Sequence, residues 1–71
     1  MKQGSIYKHF KGKKVVIITL AKDSETLEDL VVYKHLDDEQ VWVRTLEMFN
    51  SKVDKEKYPN VTQEYRFELE D

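Results

Sequence analysis

Three short stretches of the chain each place an aromatic ring and a basic nitrogen two residues apart: Tyr7 with His9, Tyr33 with His35, and Trp42 with Arg44. Residues at i and i+2 point to the same side of a β-strand, so each pair shares a face if its stretch is extended. Set side by side in a curved sheet, the pairs would form an aromatic platform bordered by imidazole and guanidinium. Such a surface suits a carboxylate, a phosphate or a stacked base. The same residues also read as the finish of a small core, with rings inside and polar tips in water. Arg44 carries a sharper version of this choice, because its planar fork is costly to bury unpaired. The expectation is that Glu47 or Glu28 holds it in an ion pair while the rest of its fork faces an anionic group, the alternative being a purely structural pair.

Acidic side chains supply a second constellation. Glu25, Glu28 and Glu47 flank the same stretches, and paired carboxylates can serve as acid and base. They read equally as the solvated charge of exposed loops. No nucleophile accompanies them, since Ser5, Ser24 and Ser51 stand in no elbow or triad order. Ser24 and Thr26 are expected to hydrogen-bond turn backbone. Two histidines without a spaced ligand set make a weak metal signal, and two glycines, Gly4 and Gly12, cannot build a phosphate-cradling loop. A binding module without metal or cofactor is expected, rather than an enzyme.

The elements that must position these residues are constrained by size. A chain of 71 residues forms one domain and buries only about 60% of the surface its unfolded form exposes. Apolar residues make up 39% and charged residues 37%, so a wet surface must enclose one small core. Cysteine is absent, so neither disulfides nor thiolate zinc supports the fold, and a reducing compartment is compatible. The apolar run from Val15 to Ala21 is too short to span a bilayer and no signal-type hydrophobic region follows Met1, which predicts a cytoplasmic domain without membrane contact.

Charge is polarised along the chain. Residues 1–14 hold five lysines and no acid, whereas residues 15–71 carry a net charge of −7. The basic end either steers an anionic partner over about one Debye length, roughly 8 Å, or solvates an edge strand.

Periodicity predicts five strands. "GSIYKHF" alternates from Gly4 to Phe10, "KGK" turns at Gly12, and the β-branched run from about Lys14 to Lys22 reads as the central strand. Val16, Ile18 and Val32 are expected in the core. The segment "KDSETLED" has capping-box spacing and could open a helix, but Val31, Val32 and Tyr33 favour a strand from Leu30 to Leu36. After the "LDDEQ" turn, Val41 to Arg44 forms the hairpin partner, and "TLEMF" reads as one turn of 3-10 helix that drops Leu46 and Phe49 inward. Residues 50–62, with Pro59, form a polar loop excursion, and alternation resumes in "VTQEYRFEL" as the last strand. The expected fold is mainly β, a five-stranded antiparallel SH3-like barrel or a strongly bent sheet.

Three blocks carry a family resemblance. "GSIYKHFKG", "SETLEDLVVYK" and "WVRTLEMF" resemble, in order and spacing, the signature blocks of domain of unknown function family 1653, and together span about two thirds of the chain. The resemblance implies a compact β-rich domain in a bacterial, cytoplasmic setting and no known activity. It also places Arg44 in the most specific block. The family pattern has a histidine where this chain has Asp23, a proline at Thr45 and a glycine at Thr19, so a role for that histidine does not carry over.

The candidate binding residues are therefore Tyr7, His9, Glu25, Thr26, Glu28, Tyr33, Trp42, Arg44 and Glu47. A peptide or protein partner is favoured over nucleic acid. Lysines on phosphate with Tyr7, Tyr33 or Trp42 stacked on bases would make a single-stranded RNA or DNA binder, but the acidic body and a pI near 5.7 weigh against it.

Overall fold

The structure is a computed structural model and describes residues 1–70. Strands β1 (Ile6–His9), β2 (Lys14–Lys22), β3 (Asp29–His35) and β4 (Val41–Thr45) follow one another in the chain. A helical turn, α1 (Leu46–Phe49), and a last strand, β5 (Phe67–Leu69), complete it. All pairings are antiparallel, in the order β4-β3-β2-β1-β5.

Local chemistry explains the turns. Between β1 and β2 the chain reverses at Gly12, whose φ of +97° is open to glycine without steric cost. Asp23 caps the next reversal, its carboxylate accepting the backbone N–H groups of Glu25 and Thr26 at 2.8 and 3.2 Å, while Thr26 Oγ1 accepts that of Glu28 at 3.2 Å. These bonds spend the capping potential of the "SET" stretch on a turn, so the helix it could have opened does not form. Before β4, the carboxylate of Asp38 accepts the N–H of Gln40 at 2.9 Å.

The element after β4 is α-helical rather than 3-10. Asn50 N–H reaches the carbonyl of Leu46 at 2.9 Å, a bond four residues back, and the Thr45 side chain caps the start by accepting Met48 N–H at 3.1 Å. The turn buries Phe49, while Leu46 packs partly buried against the same core. The 50–62 excursion is tied down. Val53 is buried and its N–H bonds the Glu64 carbonyl at 2.9 Å, and Lys55 Nζ gathers the carbonyls of Val61 and Gln63 at 2.6 and 2.8 Å.

The core consists of Val15, Ile17, Val31, Tyr33, Phe49 and Phe67. This corrects the expected strand face: Ile18 is 40% exposed, and Val16 and Val32 are only partly covered. In "VVIITLA" both alternating sets are apolar, so the period cannot say which set faces inward, and a shift of one residue exchanges them. A bulge follows at Ile18, because Ile17 pairs with Tyr33 and Thr19 with Val32, leaving Ile18 without a partner.

The sheet stays open, so of the two expected forms the bent sheet is the one found, and not the closed SH3-like barrel. Among the described residues, no ladder joins β4 to β5. Flat, these strands would lie four spacings, about 19 Å, apart. Yet Arg44 Cζ on β4 stands 5.9 Å from the Phe67 ring centre on β5, and Tyr33 on β3 lies 5.6 Å from the same ring. The sheet therefore curls around Phe67 and Phe49, whose rings stack at 4.1 Å with planes 3° apart.

Candidate anion-binding site on the concave face

Strand register brings the aromatic and basic pairs onto one surface. Tyr7 is opposite Val15, Val15 opposite His35, Ile17 opposite Tyr33, Tyr33 opposite Trp42, Val31 opposite Arg44, and His9 opposite Phe67. Partners in a ladder share a face, so all three pairs lie on the concave, core side. Tyr33 is 4% exposed and belongs to the core, while Trp42 stands at the rim, 48% exposed, with its ring 5.8 Å from His35. Tyr7 lies edge-on to Phe49 at 5.3 Å, inside the core margin rather than in a recess.

Where the curl leaves the core incompletely filled, a cavity of about 280 Å³ opens, lined by His9, Lys11, Lys13, Tyr33, His35, Arg44 and Phe67. Five of those seven side chains carry basic nitrogen and none carries a carboxylate. Arg44 anchors the wall. Its Nε donates to Tyr33 Oη at 3.1 Å, and its guanidinium lies over Phe67. A guanidinium has five N–H donors, so four remain for another acceptor.

The expected ion pair is overturned. Among the described residues the salt bridges use Lys13, Lys14, Lys22, Lys34, His35 and Lys52, and neither Glu47 nor Glu28 reaches Arg44. The reason is directional: Val31 and Arg44 face each other on the concave side, while Glu28 ends the β2–β3 turn and Glu47 rides exposed on α1. Those two glutamates instead line a second recess, of about 390 Å³, with Asp29, Thr45, Leu46 and Asn50. Glu25 and Thr26 stay on the exposed turn capped by Asp23 and line neither recess.

Two basic residues of the cavity are modulated by their surroundings. His9 Nδ1 accepts the Lys11 backbone N–H at 3.1 Å, which leaves the neutral ring's proton on Nε2, facing away from that bond. Burial, followed by the charges of Arg44, Arg66, Lys11 and His35, lowers its pKa from 6.5 to about 4. At neutral pH His9 is an uncharged donor. Lys13 is paired with Asp37 across the mouth, which raises its pKa through that hydrogen bond and lowers that of Asp37. His35 Nδ1 lies 3.7 Å from Asp38 Oδ1.

Sequence reasoning missed Lys11, Lys13 and Phe67 as lining residues. In sequence Lys11 and Lys13 read only as part of a basic end, yet both line the cavity on either side of the Gly12 turn, with the Lys11 ammonium over the Phe10 and Tyr58 rings and that of Lys13 on Asp37. Phe67 carries no local signal, because its place under Arg44 follows from the pairing of the last strand with the first.

Fold and recess define a small, single-sheet β domain with a recess lined largely by basic side chains on its concave side. The family model for DUF1653, described as a protein of unknown function, matches residues 5–69, and the chain belongs to that family. It is similar to the crystal structure of a DUF1653 protein from Bordetella bronchiseptica, at 29% identity and a TM-score of 0.74, covering 93% of this chain and 83% of that one. No curated protein matches. No helix among the described residues is long and apolar enough to cross a membrane.

Proposed function

We propose that this domain is a binding module that takes an anionic group, a carboxylate or phosphate carried by a peptide or protein partner, into the concave cavity. The observation that carries this reading is the Arg44 fork, fixed through Nε by Tyr33 and left with four N–H donors in a recess lined by basic nitrogen and no carboxylate. Phe67 and Tyr33 supply an apolar floor, which lowers the local dielectric and strengthens each charged hydrogen bond made above it. Lys11 and Lys13 line the recess and would draw an anion inward, Lys11 by leaving the Phe10 and Tyr58 rings and Lys13 by exchanging Asp37 for the ligand. Trp42 offers a ring at the rim for whatever part of the partner follows the anion.

The proposal takes the form of a cytoplasmic binder rather than a catalyst, because Arg44 and Tyr33 supply fixed anion recognition while the lining sets no nucleophile beside a hydrogen-bonded base. The test is a titration of 15N-labelled protein with inorganic phosphate and with sulfate, followed by NMR. Saturable shifts at the Arg44 side chain and at His9 and His35, absent in Arg44→Ala with the remaining spectrum intact, support it. Shifts that do not saturate, or that survive Arg44→Ala, overturn it. A parallel titration with single-stranded oligonucleotides separates the nucleic-acid reading, which requires a steep loss of affinity with salt and saturation through Lys2, Lys8 and Trp42.

A further inference from the structure

The sheet has two edges, and they differ in how they meet solvent. β5 is three residues long and carries Glu68, with Glu70 following, so it is short and charged. β4 spans five residues, Val41–Thr45, and contains no lysine, proline or acid, while its pairing with β3 runs without a bulge. It is also apolar at the surface: Val41 is 45%, Trp42 48% and Val43 55% exposed. An exposed apolar edge without such protection is a template for another strand.

Backbone direction determines which residues can pair there. His35 N–H bonds the Gln40 carbonyl at 3.0 Å, so alternation along the antiparallel pair turns the backbone of Gln40, Trp42 and Arg44 toward β3. Val41 and Val43, with the Thr45 N–H, turn outward. An antiparallel partner that is β4 of another copy, arranged about a two-fold axis at Val43, then meets all three outward positions at once. Val43 faces Val43, Val41 faces Thr45, and Trp42 faces Arg44 in each half. The Trp42–Arg44 positions are the close, non-hydrogen-bonded kind, where a guanidinium can lie over an indole, and no two like charges oppose each other within the strand.

We propose that β4 is a homodimerisation edge, joining two copies into one continuous sheet through a two-fold β4–β4 ladder. The Trp42 ring of the second copy then comes beside Arg44 at the cavity rim, so each copy would supply one wall residue to the other. This does not depend on whether the cavity takes an anion, because the ladder is made by backbone and by Val43, which points away from the concave face.

The test follows mass and fluorescence together over protein concentrations from micromolar to about millimolar. Trp42 is the only tryptophan, so its emission reports on the edge without labelling. Wild type should rise from 8.5 kDa toward twice that mass in sedimentation equilibrium, with Trp42 emission shifting over the same concentrations. Val43→Lys sets two lysines against each other on the axis and should remain a monomer with wild-type circular dichroism and a concentration-independent emission. Should that variant unfold, Val41→Pro removes only an outward N–H at the first residue of the strand and serves as the second break. A wild type that stays at 8.5 kDa up to millimolar concentration overturns the proposal, as does a dimer that persists in a folded Val43→Lys or Val41→Pro variant, since another surface would then make it.

Discussion

Arg44 Nε donates to Tyr33 Oη at 3.1 Å, and the two residues are diagonal neighbours on adjacent strands, Arg44 lying two residues beyond the Trp42 that pairs with Tyr33 and on the same face. The bond ties the charge of β4 to the buried ring of β3, so guanidinium orientation is set by a core residue. Tyr33→Phe keeps the ring and removes the acceptor, and should cost about 1 kcal/mol in urea unfolding. Anion affinity should fall with it, less than in Arg44→Ala, because the fork remains but is no longer held. Equal affinities in Tyr33→Phe and wild type would show that the bond orients nothing.

Neighbouring isoleucines should respond differently to truncation. Ile17 is 2% exposed within the core, and Ile17→Ala should cost about 2 to 5 kcal/mol. Ile18, bulged and 40% exposed, should lose less than about 1 kcal/mol on the same change. Urea melts of the two variants side by side read the face of β2 directly, and the reverse ranking would place the other face inward.

Phe49 is the centre of the aromatic cluster, stacked on Phe67 and edge-on to Tyr7 and Tyr33. Phe49→Ala should cost about 3 to 5 kcal/mol and leave much of a domain this small unfolded at room temperature. The cap beneath it is worth less: Thr45→Ala should cost about 1 kcal/mol, read from the shift in thermal midpoint.

Acid should weaken the fold before the carboxylates titrate. His9 has a folded pKa of about 4 against 6.5 unfolded, so below pH 6.5 the unfolded chain binds a proton that the folded chain refuses. Its contribution is fully present above pH 6.5 and is lost as pH falls toward about 4. His9→Gln should flatten the thermal midpoint across that window. Sulfate, which stays ionised there, should bind more tightly as pH falls, because an anion in the cavity raises the His9 pKa and takes up a proton with it. Binding that weakens with acid would contradict His9 as a neighbour of the anion.

Much of the fold was legible because β-branched runs and turn residues are local signals. The bounds of β2 coincide with the sequence expectation, and β3 resolved as a strand where capping-box spacing had competed. Facing was not legible, since Val15 and Val16, like Ile17 and Ile18, offer equal apolarity to either side, and only the partner strands choose between them. The aromatic–basic pairs were recognised as one face, but their concave placement was not: a residue can be core at its ring and solvent at its tip, and alternation cannot separate these. The Arg44–glutamate pairing failed for a related reason. Sequence proximity to Glu47 says nothing about direction once a helical turn intervenes.

The ring that closes the hollow arrives last. Phe67 stacks on Phe49 and lies beneath Arg44, yet it reaches them by pairing β5 with β1, nearly the whole chain away. Until β5 docks, β1 to β4 form a four-stranded meander with one side of the aromatic stack uncovered and the β1 edge bare. Local hairpins close in about 1 to 10 microseconds, so those strands pair before a contact that joins β1 to β5. This long-range pairing makes completion of the fold a late event, set by the closure of Phe67–Leu69 onto β1.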